Sequence, residues 1–430
     1  MDRHAIVERD KAHVWHPYTS MDAYIEKTDP LVVSRAEGSR LYDMNGRSYL
    51  DGNSSWWVAA LGHRHPRLIA ALTRQAGELD HCSLAGTTHA PAALLAEELC
   101  SVAPRGLTRA FYTDNGSTAV EVAVKICVQM WRQLGAPKKT RFVALDGAFH
   151  GDSIGASSLG GVEVFRRPFA SVLFECARAP FPEEDAYERA FSAIAELVTE
   201  NKDEVCAVFV EPIVQGAAGM RIYPPMYLRE LRALCDRCDV LLVADEVFAG
   251  YGRTGLMWGV DHAGISPDIM CVGKAFASIV PMGATLVTER VFDAFRGGKD
   301  RALHYGHTFC GNPIGAALAR EVLAIYKDDK IVDRAARLAP RIGAAFSKIG
   351  EIPGVTGVRA IGMIGAADLG GASGYLGENG WRVYEEALRR GAYVRPLGDT
   401  VYVCPPLTIE ERDLDELLFI VNDSVRAIGA

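Results

Sequence analysis

The chain has 430 residues, 49% hydrophobic and 23% charged, enough apolar material for one large globular domain and a smaller one. A net charge of −8 with no long basic run argues against a nucleic-acid partner. The charged start from Met1 to Asp10, the lack of any apolar run approaching the roughly 20 residues of a bilayer span, and ten irregularly spaced cysteines predict a cytoplasmic protein with reduced thiols and no membrane contact.

Asn45-Gly46 lies between the alternating apolar residues of Leu41 to Leu50, the pattern of a hairpin. Trp56-Trp57 follow near a glycine bend. Two such rings either wall a pocket or close a domain interface. His63 and His65 have no metal-ligand spacing and read as loop or polar-core residues. Residues 109–113 read as a strand and 117–131 as a helix. The link Thr113-Asp114-Asn115-Gly116-Ser117 between them suits either a phosphate at a helix N-terminus or an ordinary cap by Asn115 or Ser117.

Residues 141–145 read as the next strand. Phe149-His150-Gly151-Asp152 follow it, and Phe149 either stacks on a flat ring or packs in the core. Residues 207–211 read as another strand. Cys235 and Cys238 fall late in a helical pattern, and with no second pair to complete four ligands they read as packing residues. Tyr305 to Pro313 is a compact polar loop before a helix. It either completes a phosphate cup or serves as a helix entry.

This alternation predicts an α/β chain with a largely parallel sheet. From about residue 325 the pattern changes to amphipathic helices and short strands, so a second domain is expected, joined in space by the N-terminal hairpin. Residues 331–349 read as a helix that Pro340 kinks or splits. Residues 381–390 read as a helix and 402–404 as a strand. Arg395, after a strand, offers a planar fork to a carboxylate or makes a surface salt bridge.

Two short apolar runs carry the strongest chemistry. One ends in Asp245-Glu246, and the next, beginning at Asp268, delivers Lys274. Either is common alone. Together they match what pyridoxal phosphate needs: a lysine for a Schiff base with its aldehyde and a carboxylate for its ring nitrogen.

With these residues assembled, the sequence resembles the class III (ω-amino) aminotransferases along nearly its whole length. The resemblance rests on Gly116-Ser117 with Glu121, Phe149-His150-Gly151, Glu211-Pro212 with Gln215-Gly216, Asp245-Glu246 with Gly252-Arg253-Thr254-Gly255, Lys274, and Thr308 with Gly311-Asn312-Pro313. It implies a fold type I pyridoxal-phosphate transferase: a large cofactor-binding domain over 61–325, and a smaller α+β domain built from 1–60 and 326–430. Trp15-His16-Pro17-Tyr18-Thr19, Ser54-Ser55-Trp56-Trp57, His150-Gly151-Asp152 and Pro212-Ile213-Val214-Gln215-Gly216 narrow the resemblance. They point to the branch that aminates 8-amino-7-oxononanoate to 7,8-diaminononanoate in biotin synthesis, with S-adenosylmethionine as amino donor. Another ω-aminotransferase, acting on a diamine or ω-amino acid, is the alternative.

The resemblance also implies roles. Lys274 is the Schiff-base lysine and proton carrier, and Asp245 holds the ring nitrogen. Phe149 stacks on the ring. Gly116, Ser117, His307 and Thr308 bind the phosphate, the last two from a second subunit of a homodimer. Tyr18, Trp56, Phe149, Lys274, Gly306 and Arg395 contact substrate. Where glutamate-reactive relatives carry a Glu that neutralises this arginine, the chain has Ala217. Two departures stand out. Phe149 replaces a tyrosine usual in the S-adenosylmethionine users, which leaves lysine open as donor. The run Ala275 to Met282 also lacks the Gly-Gly common after the lysine.

Overall fold

A computed structural model describes residues 2–371 and 374–429. Seven strands form the main sheet: β1 (Leu107–Thr113), β2 (Arg141–Leu145), β3 (Cys176–Ala179), β4 (Val205–Val210), β5 (Leu241–Asp245), β6 (Ile269–Val272) and β7 (Gly283–Thr288). Their spatial order is β1-β7-β6-β5-β4-β2-β3. Only β7 runs antiparallel, to both of its neighbours. Strands β4, β5 and β6 are buried at every position. Alternate residues feed two separate cores: Leu242 and Ala244 point into one, Leu241 and Val243 into the other. Continuous apolar runs of this kind are what a parallel sheet covered by helices on both faces requires.

The helix Gly116–Gln133 covers one face, burying Val120, Ala123, Cys127 and Met130. Helix Pro225–Cys238 buries Cys235 and Cys238 among apolar neighbours of the other core. The fold expectation of an α/β chain with a mostly parallel sheet holds.

The expected hairpin forms between strands Arg40–Asp43 and Ser48–Asp51, with Gly46 at φ +84° and the Asp43 carboxylate accepting the Asn45 and Arg47 N–H groups. Its second strand pairs in parallel with Ala392–Tyr393, so the N-terminal hairpin and the C-terminal region share one sheet. A three-stranded antiparallel sheet (Val355–Ile361, Ile364–Leu369 and Thr400–Val403) lies beside it.

One expectation needs correcting. Pro340 does not split its helix, which runs unbroken from Ile331 to Ile349. Pro340 sits on the exposed side. A stripe of Ile331, Ala335, Leu338, Ile342, Phe346 and Ile349 anchors the opposite side, and this burial outweighs one lost backbone hydrogen bond. Among the described residues no helix is long and apolar enough to cross a membrane.

Candidate active site

Because six of the seven strands are parallel, their carboxyl ends open on one edge of the sheet. There β1 leads into Gly116-Ser117, β2 into Phe149-His150, β4 into Glu211, β5 ends at Asp245 and β6 leads into Lys274. Ligand sites of open α/β sheets form at this edge. A cavity of about 900 Å³ lies there, lined by all of these residues together with Tyr18, Trp56, Trp57, Asp152, Ala217 and Arg395.

Lys274 is half-buried in the cavity wall, and its Nζ lies 5.0 Å from the centre of the Trp57 ring. Burial pulls its ammonium below the usual lysine value, while the carboxylates of Asp245 and Glu211 act in the opposite direction. A lysine whose ammonium is partly desolvated in this way reaches its neutral, nucleophilic form more readily. Its φ of +48° is left-handed, so the residue is held by its surroundings and not by local preference.

Asp245 is 5% exposed, and its Oδ2 lies 2.8 Å from Nδ1 of the fully enclosed His150. An ionised carboxylate only accepts, which assigns the proton to Nδ1. The other oxygen of Asp245 accepts the Val247 N–H at 3.1 Å. The carboxylate is thus fixed on two sides.

Glu211 accepts the N–H of Phe149 at 2.9 Å and of Gly216 at 3.0 Å. Burial pushes its carboxyl up to about 7, opposed by nearby His150. Through these two bonds Glu211 ties the Phe149 loop to the Gly216-Ala217 turn. The sequence reading missed both this tie and the contact between His150 and Asp245. Each joins residues far apart in the chain, and neither follows from periodicity.

At the β1 end, Asn115 caps the 18-residue helix by accepting the Thr118 N–H at 2.9 Å. The amides of Gly116 and Ser117 then have no acceptor within the helix. The floor here is tight. A Cβ on Gly116 would meet Val247 at 2.6 Å, and one on Gly151 would meet Ser117 Oγ at 2.2 Å with φ already at +128°. Gly151→Ala is therefore expected to destabilise the fold by about 1–3 kcal/mol, measured as a lower urea midpoint with unchanged m.

The outer wall is aromatic. Tyr18 packs edge-on against Trp56 and Phe165, and Phe165 in turn against Phe149 and Tyr375. The Tyr18 hydroxyl donates to Asp152 at 2.5 Å, and burial first, then this bond, raises its pKa well above the usual phenol value. Phe165 and Tyr375 were not foreseen, since neither belongs to a periodic element. Arg395 is flanked by rings, and among the described residues it makes no ion pair: its guanidinium lies 5.0 Å from Trp56 and 5.5 Å from Trp381.

Four consecutive non-glycine residues, Ser54 to Trp57, adopt left-handed backbone, with φ between +45° and +73°. This turn presents Trp56 to Arg395 and Trp57 to Lys274. Side-chain hydrogen bonds hold it. Ser54 Oγ donates to the Cys404 carbonyl at 2.7 Å, Ser55 Oγ to Asp51 at 2.8 Å and Trp57 Nε1 to Tyr402 at 3.1 Å. Such conformations cost roughly 1–2 kcal/mol per residue and are found at functional sites.

Three sequence candidates lie outside this cavity. Gly306 and Thr308 are exposed, and the His307 ring approaches Asp114 of the same chain at 3.8 Å.

The family model for class III aminotransferases matches residues 23–425. The chain belongs to the class III aminotransferases. Its cofactor is accordingly pyridoxal phosphate. The enzyme is 39% identical to the adenosylmethionine-8-amino-7-oxononanoate aminotransferase of Nitratidesulfovibrio vulgaris, over 97% of this chain and 81% of that one. It is also 39% identical to the enzyme of that name from Synechococcus elongatus, over 96% and 98% of the two chains. Among solved structures, the adenosylmethionine-8-amino-7-oxononanoate aminotransferase of Methanocaldococcus jannaschii superposes with a TM-score of 0.95 at 32% identity, covering 99% of each chain. An omega transaminase from Pseudomonas jessenii, solved in complex with PMP, superposes at 0.92 with 29% identity, again over 99% of each.

Proposed function

We propose that this aminotransferase converts 8-amino-7-oxononanoate to 7,8-diaminononanoate, with S-adenosylmethionine as amino donor. The relatives above carry that substrate pair in their names over nearly the full length of this chain. The observation that carries the site is the pairing of a half-buried lysine with a buried, doubly anchored aspartate on neighbouring strand ends.

The residues present fit the cofactor. The tight glycine floor and the free helix amides of Gly116 and Ser117 suit a phosphate, whose charge the helix N-terminus favours. Phe149, in the lining of the same cavity, would lie against the cofactor ring. Asp245 would keep the ring nitrogen protonated, with His150 orienting the carboxylate. When bound, pyridoxal phosphate supplies an electrophilic carbon for the amine and a ring that delocalises the electron pair left when a C–H bond breaks.

Lys274 Nζ takes the proton from the donor carbon that bears the amino group, and gives it back during amination of the keto acid. Lowered proton affinity suits it to the first task. Arg395 pairs with the acceptor's carboxylate. Ala217, lining the same cavity, brings no acid of its own to compete for that guanidinium. Tyr18 and Trp56 close the pocket. Gly306, His307 and Thr308 act from a second copy in a homodimer; their position outside the chain's own cavity supports this.

Arg395→Ala is expected to raise KM for 8-amino-7-oxononanoate about tenfold or more with a smaller change in kcat, checked by steady-state kinetics. The function itself is tested by mass spectrometry of reactions containing 8-amino-7-oxononanoate and either S-adenosylmethionine or lysine. 7,8-Diaminononanoate from S-adenosylmethionine is expected. Because Phe149 lacks the hydroxyl of the usual tyrosine, the lysine reaction is the informative comparison. Faster amination of pyruvate by a diamine would replace this reading with that of a general ω-aminotransferase.

A further inference from the structure

Asp51 ends the strand Ser48–Asp51, where it pairs with Tyr393, two residues before Arg395. Its side chain is fully buried. A buried carboxylate must be met by donors. Its Oδ1 accepts the Asn53 N–H at 3.2 Å, and its Oδ2 accepts the Ser55 hydroxyl at 2.8 Å. The same Oδ2 lies 2.8 Å from Nε2 of His63. An ionised carboxylate only accepts, which assigns the proton to Nε2. The His63 ring is partly exposed, and its backbone is held separately, in a bridge with Gly38.

These bonds lead to both sides of the substrate wall. Ser55 precedes Trp56 in the left-handed turn. Asn53 accepts the Arg395 N–H through its side-chain oxygen at 2.5 Å and the Trp57 N–H through its carbonyl at 2.8 Å. The Arg395 guanidinium and the Trp56 ring, 5.0 Å apart, come from distant parts of the chain, and the Asp51 carboxylate ties the backbone of each. A left-handed turn of non-glycine residues persists only where its surroundings hold it. Neither Asp51 nor His63 lines the cavity, so any effect on substrate passes through Arg395 and Trp56.

We propose that Asp51 and His63 are positioning residues for carboxylate recognition. The histidine holds the Asp51 carboxylate in the orientation that sets the Trp56 turn and the Arg395 backbone relative to each other. This inference rests on the reading above, in which Arg395 takes the acceptor's carboxylate.

The test compares His63→Leu, which removes the donor, with His63→Gln, whose amide N–H can reach the same oxygen, both as holoenzymes. kcat/KM is measured for 8-amino-7-oxononanoate and for its methyl ester, which lacks the charge. His63→Leu is expected to lose about threefold to tenfold for the acid and less than about twofold for the ester. His63→Gln recovers the acid to within about twofold of wild type. His63→Asn, whose amide is too short to reach Asp51, should behave as the leucine variant and stands in for it if leucine prevents folding. A merely structural role would lower the melting midpoint and both substrates' rates alike. Equal losses for acid and ester overturn the proposal, as does an unchanged acid reaction or a glutamine that restores nothing. If the wild type aminates neither compound, the amination reading fails separately. An α-amino acid is then compared with its methyl ester in the donor half-reaction, and a ratio that the variants leave unchanged overturns the proposal.

Discussion

Lys274→Ala is expected to lower transamination by at least about a thousandfold, the upper range for removing a positioned acid–base group with its nucleophile. The variant should still fold. Alanine removes an amine whose partial desolvation already disfavours its charge, and Trp57 next to it stays anchored through Tyr402. Stopped-flow mixing with S-adenosylmethionine separates the two duties of the lysine. If it carries the proton, added small primary amines restore part of the rate in proportion to their basicity. If it only holds cofactor, they restore nothing once pyridoxal phosphate is saturating. Turnover within tenfold of wild type would remove Lys274 from the chemistry.

Asp245→Asn should cost about 100- to 10,000-fold in kcat with little change in shape. Asparagine can still accept the Val247 N–H through its amide oxygen. It cannot supply the negative charge that faces His150 and Lys274. The change therefore separates electrostatics from packing. The expected signature is a fall in kcat with a thermal midpoint close to wild type. A weaker substitution effect, below about tenfold, would mean that the ring nitrogen is not held by this carboxylate.

The strongest features of the site were legible because buried parallel strands are monotonously apolar. In β5 and β6 every residue before the strand end is hydrophobic, so the first polar group after each one stands out, and a parallel sheet brings those ends together. Asp245 and Lys274 follow from that alone. The hairpin at Asn45-Gly46 was legible for an equally local reason, a positive φ that glycine supplies.

What stayed hidden depends on distant contacts. Glu211 organises the Phe149 loop through backbone amides that lie 62 residues upstream and 5 downstream. The left-handed turn from Ser54 to Trp57 contradicts local preference and is stabilised by residues near 404. Helix 331–349 survives Pro340 because one apolar stripe docks on a sheet that no short window of sequence contains. Strain and tertiary override cluster around the cavity, where Tyr18, Trp56, Trp57, Lys274 and Ser278 all have positive φ. Local rules are expected to fail at such places.

The central claim is that Lys274 carries the cofactor in this cavity. The most direct measurement is borohydride reduction of the holoenzyme followed by proteolysis and mass spectrometry. The account predicts a single phosphopyridoxyl adduct, on the peptide containing Lys274, lost in Lys274→Ala. An adduct on another lysine, or a holoenzyme whose cofactor washes away unreduced, would contradict it.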